Sequence, residues 1–305
     1  MTADGILNVC KPLHWSSFDV VNLVRRQSGV KRVGHAGTLD PAAEGVILIC
    51  LGRATRIVEY LMDAHKTYRA RIRMGVVTDT QDAEGTVMRR ADPSFVTREM
   101  VEGALAGFGG EGLQVPPMFS ALKRDGVPLY RHARAGRTVE REARPVRVYG
   151  LELEKFEPPW FTIRVECGRG FYVRTLAHDL GERLGCGAHL DQLVRLSVGP
   201  FHLESAIGVD ALREALACGG WRDMLLPIDA VLLDWHAAIL GNDNQRHACL
   251  GRTLKLVPLE EARVNSLPDG ALCRAYSLDG RLVALLRNCG DRTLWRPAKV
   301  LAAAE

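Results

Sequence analysis

Gly34-His35-Ala36-Gly37-Thr38-Leu39-Asp40-Pro41-Ala42-Ala43-Glu44-Gly45, followed at once by Val46-Ile47-Leu48-Ile49-Cys50-Leu51, is the stretch on which the reading of this chain turns. The six apolar residues after a glycine read as a short buried strand. The twelve before them place one well-placed carboxylate, Asp40, with one imidazole and three glycines in a single loop. Asp40 precedes Pro41, which biases it away from helical geometry and toward a turn. The glycines let other groups approach the backbone closely. The expectation is an acid held on a rigid loop at the mouth of a buried strand. An Asx-turn, with the side chain bonded to nearby N–H groups, is the plainer use of an Asp at such a place.

Working outward, Ile6 to Val9 reads as a strand closed by Lys11-Pro12. Ser16 or Ser17 caps the next helix, with Asp19 three residues after Ser16 in a capping-box pattern. Phe18, Val21 and Val24 share a face of that helix, and Gly29 ends it. Lys66 to Met74 alternates as a strand, with Tyr68, Ala70, Ile72 and Met74 on one side and Arg69, Arg71 and Arg73 on the other. Asp79 to Gly85 is a polar connection. Thr97 to Phe108 is a helix capped by Thr97. Pro116-Pro117 breaks regular structure, and the segment from 116 to 145 is a basic arm with a short helix over Tyr130 to Ala135. Strands follow at Val146 to Phe156 and Phe161 to Cys167, then a helix after Arg174 to about Leu184, and a strand at Leu193 to Val198. Residues 205–243 read as an acidic helical linker. From 244 to 305 the pattern is that of a small β domain, with Asp279-Gly280 as a hairpin turn.

Composition narrows the class. With 305 residues, 47% apolar and 25% charged, the chain suits a globular protein of one large or two ordinary domains. No apolar run reaches membrane-spanning length, and no secretory leader is expected from the first residues. The eight cysteines are scattered singly, which argues for a reducing, cytoplasmic setting and against zinc or disulfide frameworks. No metal, phosphate-loop or dinucleotide motif is present. Net charge is +4, unevenly spread: +5 over residues 1–75, −4 over 76–115, +5 over 116–150 and +4 over 244–305. Basic blocks separated by acidic ones suit a protein that tracks a polyanion.

Five segments together resemble the TruB-type tRNA pseudouridine synthases. They are Lys11-Pro12 with Ser16-Ser17; Gly34-His35-x-Gly37-Thr38-Leu39-Asp40-Pro41; Lys66-Thr67-Tyr68; Val115-Pro116-Pro117-Met118-Phe119-Ser120-Ala121-Leu122-Lys123; and Gly170-Phe171-Tyr172-Val173-Arg174-Thr175. The likeness runs from about residue 5 to 203. Near the C-terminus it weakens to a general likeness to PUA RNA-binding domains. His14 departs from the pattern, since a Gly is common nearby, and this bears on local turn geometry.

The resemblance implies a mixed α/β (α+β) pseudouridine synthase fold with a mainly antiparallel central sheet and flanking helices. A catalytic domain would cover 1–243 and a PUA-like barrel 244–305. The implied catalytic set is Asp40 as the essential carboxylate, Tyr68 stacking on the target base, and Arg174 pairing with the acid. His35 would fill the gap left by the flipped base, and Tyr172 and Leu193 would line the uracil pocket. Lys11, Lys123 and Arg124 are further substrate-binding candidates. The implied reaction detaches uracil from C1′, turns it and rejoins it through C5, with no metal or other cofactor. An ionised Asp is required, and an opposite charge beside it favours that form. The target base must leave the RNA stack. The implied partner is the T-arm of tRNA, with no protein partner, guide RNA or membrane, and the protein acting as a monomer. Two rivals stand: a nucleoside hydrolase, for which Glu44 is the nearby second carboxylate, and an RNA-binding or RNA-folding protein without catalysis.

Overall fold

The computed structural model describes residues 3–120, 122–124, 126–137, 139–256, 267–290 and 293–302, the side chains of Lys123 and Arg134 excepted. A large mixed sheet organises most of them. Its strands run in the order Ile207–Gly208, Gly5–Lys11, Ala43–Leu51, Ala188–Val198, Lys66–Met74, Trp160–Cys167, Arg144–Glu157 and Gly110–Gln114. Val33–Ala36 pairs beside Ala43–Leu51, and Phe201–His202 beside Ala188–Val198. Pairing is antiparallel apart from two parallel contacts, Gly5–Lys11 with Ile207–Gly208 and Ala43–Leu51 with Ala188–Val198. The expected, mainly antiparallel α+β architecture is the one observed. The continuous apolar run of Ala43–Leu51 is explained by its central place: from Val46 to Leu51 every residue is fully buried.

The first helix, Ser17–Ser28, starts as the sequence suggests. Ser16 is its N-cap in a complete capping box with Asp19, and Gly29 ends it at φ 71°. The buried face is Val20, Val21 and Val24; Phe18, expected to join it, is 56% exposed. The helix Val173–Arg183 packs across the Ala188–Val198 strand. It begins two residues earlier than expected, which brings Arg174 inside its first turn. The Ala188–Val198 strand starts five residues ahead of the predicted Leu193.

Two sequence expectations need correction. Residues 205–243 do not form a bare helical linker. Ile207–Gly208 adds an edge strand to the large sheet, and the helix Val209–Cys218 buries Val209, Leu212, Ala215 and Leu216 in the core that also holds Trp221 and Val24. The acidic residues of that helix sit on its other face, and net charge hid the amphipathic spacing. The second correction is the start of the C-terminal sheet, placed at 244. Ala237–Ile239 already pairs with Arg274–Tyr276 in a five-stranded sheet with Leu282–Asn288, Leu294–Val300 and Leu254–Lys255. The Asp279-Gly280 turn joins its strands as expected, with Gly280 at φ 78°.

The two sheets share an apolar core. Leu285 and Leu301 are buried with Ile6, Leu48, Ile57, Leu61 and Val198. Arg53 donates to the Leu301 carbonyl at 3.0 Å, and Lys299 pairs with Glu59. A cut at residue 244 would strip this surface, so the C-terminal sheet is not a freely removable part.

Where Ala188–Val198 runs parallel to Ala43–Leu51, Gly45 faces Arg195 at φ 106°, and a Cβ there would lie 2.3 Å from the Arg195 carbonyl oxygen. Gly45→Ala should therefore destabilise the fold by at least roughly 2 kcal/mol, read from the urea midpoint. A stability equal to wild type would show that the strands can slide apart without cost.

Candidate active site

The Asp40 loop is pinned from outside itself. The Ser17 hydroxyl accepts the Leu39 N–H at 2.9 Å and donates to the Leu39 carbonyl at 3.0 Å. The His14 N–H donates to the Pro41 carbonyl at 2.8 Å. Of the two adjacent serines, Ser16 thus caps the helix and Ser17 fixes the acid loop. His14 reaches its bond in the left-handed region, at φ 65°, the geometry a glycine would take there at less cost.

Asp40 is half-exposed, and its Oδ2 lies 2.9 Å from Arg174 Nη2. Arg174 is buried. Its guanidinium also donates to the Phe119 carbonyl at 2.8 Å and reaches Asp82 Oδ2 at 3.6 Å. A cation in the first turn of a helix opposes the helix dipole; two carboxylates offset that cost. Asp82 was not singled out from the sequence. It lies in the Asp79 to Gly85 connection, where its side chain accepts the Thr80 hydroxyl at 2.5 Å. An acid in a polar turn carries no periodic signal, and only the fold brings it to Arg174.

A cleft of about 360 Å³ opens over Asp40. Tyr68, Tyr172, Arg174 and Leu193 line it with Asp40, which unites four of the predicted residues with the acid. Register explains the convergence: Arg195 stands opposite Tyr68, Leu193 opposite Ala70, and Leu193 also faces Ala43. Tyr172 is placed by its backbone, which Gln114 clasps at both ends. Gln114 Oε1 accepts the Tyr172 N–H at 2.8 Å, and Gln114 Nε2 donates to the Tyr172 carbonyl at 3.0 Å. Burial pushes both phenols, Tyr68 and Tyr172, above their ordinary values. Beside Tyr68 the Arg195 guanidinium acts in the opposite sense.

The remaining candidates fall elsewhere. His35 stands on the Val33–Ala36 strand outside the cleft lining. Burial, then the nearby charge of Arg195, holds its imidazole below the ordinary value, and its Nδ1 is buried without a partner among the described residues. Lys11 does not face a substrate. It is fully buried, and its ammonium donates to the carbonyls of Pro12 at 2.9 Å and Trp15 at 2.7 Å. Arg124 donates to the Glu140 carbonyl within the basic arm, and the Lys123 side chain lies outside the described residues. The arm reaches the cleft through Ser120 and Leu122 instead.

Arg195 was missed as well. It is 1% exposed; its Nε donates to the Val46 carbonyl at 2.5 Å, and Nη2 and Nη1 donate to the Gly37 and Thr38 carbonyls at 3.2 and 3.4 Å. One guanidinium thus ties both sides of the Asp40 loop. In the sequence it is a lone Arg inside an apolar strand, with nothing to mark it.

Family models and relatives match most of the chain. The family model for the TruB family pseudouridylate synthase N-terminal domain matches residues 25–173, and that for the tRNA pseudouridylate synthase B C-terminal domain matches residues 174–233. The tRNA pseudouridine synthase B of Dehalococcoides mccartyi is 42% identical over 297 residues, covering 97% of this chain and 96% of the relative. That of Burkholderia pseudomallei is 47% identical over 285 residues, covering 93% of each. Among solved structures, a Cbf5-Nop10-Gar1 complex gives a TM-score of 0.76 at 24% identity, covering 98% of this chain and 85% of that one. An archaeal box H/ACA Nop10-Cbf5 complex gives 0.74 at 22%, covering 100% and 88%. These two likenesses speak for the fold.

Burial lowers Lys11 from 10.5 to about 8, although Asp40 nearby pulls it upward. Between pH 8 and 10.5 the unfolded lysine therefore holds a proton that the folded one has released. Its contribution to stability is full above 10.5 and is lost as pH falls through 8. Urea midpoints for wild type and Lys11→Met should accordingly diverge in favour of wild type as pH rises from 7.5 to 10. Parallel curves would show that Lys11 is not buried as a cation.

Proposed function

The chain belongs to the TruB family of pseudouridylate synthases, and on that premise we propose that it rearranges the T-loop uridine at position 55 of tRNA through Asp40. That it is an enzyme isomerising uridine to pseudouridine in tRNA follows from the family models spanning residues 25–233 and from relatives 42–47% identical over most of the chain. The observation that carries the finer reading is the 2.9 Å contact of Asp40 with Arg174 in a cleft walled by Tyr68, Tyr172 and Leu193.

The parts divide the work as follows. The target base leaves the RNA stack and enters the cleft, where the ring of Tyr68 gives it a stacking surface and Leu193 an apolar wall. Asp40, half-exposed beside a buried guanidinium, presents its carboxylate oxygen to the sugar. Its oxygen either attacks C1′ or removes the 2′ proton, and in both routes uracil leaves, turns and rejoins through C5. Arg174 keeps the carboxylate aimed, since its planar fork fixes orientation where an ammonium would not. His35, neutral by burial, is suited to fill the apolar gap in the emptied RNA stack. The basic arm over 116–145 and the C-terminal sheet, as a PUA-like module, supply phosphate contacts.

The protein acts as a stand-alone, cytoplasmic monomer without guide RNA. Among the described residues no helix is long and apolar enough to cross a membrane. The hydrolase alternative wants two carboxylates flanking the scissile bond. Glu44 stands outside the cleft lining, and Asp82 is engaged by Thr80 and Arg174.

Asp40→Asn should lower single-turnover pseudouridine formation at least ~10³-fold and leave tRNA affinity nearly unchanged, measured by pseudouridine sequencing and filter binding. Near-normal turnover would remove Asp40 from the chemistry. Arg174→Lys should also lose most turnover with a smaller effect on affinity, because an ammonium keeps the charge but cannot reach Asp40, Phe119 and Asp82 at once as the planar guanidinium does. A mild effect would make Arg174 a structural contact.

A further inference from the structure

One wall of the cleft carries charge that the pairing of Asp40 with Arg174 does not explain. Lys66 and Arg195 both line the cleft, and they are 6% and 1% exposed. Lys66 and Tyr68 share a face of the Lys66–Met74 strand, as the period of a strand requires, and Arg195 stands opposite Tyr68 on the neighbouring strand. Among the described residues neither cation has a carboxylate within 4 Å. The carboxylate that acts on Lys66 is Asp63, which is itself paired to Arg169 at 2.9 Å. Arg174, across the cleft, has two carboxylates. Two adjacent buried cations without an anion are costly, and burial, then the charge of Arg195, drives Lys66 down to about 8.

Hydrogen bonding leaves room for a ligand. The Lys66 ammonium donates to the carbonyls of Met62 and Ala64, two of its three N–H bonds. As a cap for the helix Val58–Asp63 these contacts explain why the side chain is held. They do not explain why a capping lysine is buried in the lining of a cleft beside a second cation. The reaction supplies the missing charge. When the C1′–N1 bond breaks, N1 keeps the electron pair, and the ring carries a negative charge spread to O2 and O4. This holds whether an Asp40 oxygen forms the new bond to C1′, or Asp40 takes the 2′ proton and a C1′=C2′ bond forms. On rejoining, C5 bonds to C1′ as the Asp40–C1′ bond breaks, or as C2′ takes its proton back from Asp40 across the C1′=C2′ bond; the C5 proton then departs and N1 takes one up.

We propose that Lys66 and Arg195 are catalytic residues that hold the detached uracil ring as its anion in the cleft until it rejoins through C5. The proposal rests on the isomerase reading above. It assigns the two walls different tasks: Arg174 serves the acid, and Lys66 with Arg195 serves the leaving group. The anion arrives where desolvated positive charge is already in place, so no solvent has to reorganise as it forms.

The test varies the leaving group. T-arm RNA is prepared with uridine or 5-fluorouridine at the target position, and loss of the starting nucleoside is followed in single turnovers at saturating protein. Fluorine withdraws electrons, so the expelled ring needs less stabilisation. Lys66→Met should slow loss of uridine ~10²-fold and slow loss of 5-fluorouridine by a factor at least about tenfold smaller. Lys66→Arg should recover most of the rate with uridine. A purely structural role would slow both RNAs equally. Equal slowing, or no slowing with uridine, overturns the proposal. If Lys66→Met does not fold, the same ratio measured with Arg195→Gln decides. Wild-type protein that leaves uridine unchanged would instead refute the isomerase reading, which keeps the two failures apart.

Discussion

The parallel contact between Leu193–Arg195 and Ala43–Gly45 is the constraint on which the site depends. Gly45 has no side chain, and the backbone of Arg195 occupies the space where one would be. That closeness brings the Arg195 side chain back over the loop it has just passed, to the carbonyls of Gly37, Thr38 and Val46. The same pairing sets Leu193 against the loop and Tyr68 against Arg195. A single register thus fixes the acid, the apolar wall and the aromatic surface relative to one another.

Around that register the charges are sorted. On one side Asp40, Arg174 and Asp82 form a chain in which each charge meets its opposite. On the other, Lys66 and Arg195 stand beside Tyr68 with backbone carbonyls and, among the described residues, no carboxylate within 4 Å. Buried charge is tolerated when it is paired or fully hydrogen-bonded, and the second wall meets that condition only through carbonyl dipoles. A further buried cation, Lys11, is likewise held by carbonyls, outside the cleft lining. The protein carries positive charge in the wall of the site as well as on its basic arm.

The segments that connect elements do more than connect. The turn from Pro12 to Ser17 locks the acid loop, Gln114 clasps Tyr172 just ahead of the basic arm, and the Asp79 to Gly85 turn delivers Asp82. Residues 207–239 close one edge of the large sheet and open the C-terminal one. Leu285 and Leu301 then pack the second sheet onto the first.

Local pattern determined much of this. The capping box at Ser16, the alternating strand around Tyr68, the apolar run after Gly45 and the Asp279-Gly280 hairpin are set by residues close in sequence, and each formed as read. The order of the five motifs, with Asp40, Tyr68, Tyr172 and Arg174 among them, together with Leu193 beyond them, pointed to residues that share one cleft. What tertiary structure decided was the use of charge. Asp82, Arg195 and Lys66 acquire their partners across 92, 157 and no more than 4 residues of chain respectively, and whether each is paired depends on burial. Lys11 and Arg124, equally basic in the sequence, were turned inward or spent within the arm. A residue's type fixes the charge it brings, but desolvation and the nearest opposite dipole fix what that charge does, and both belong to the folded chain.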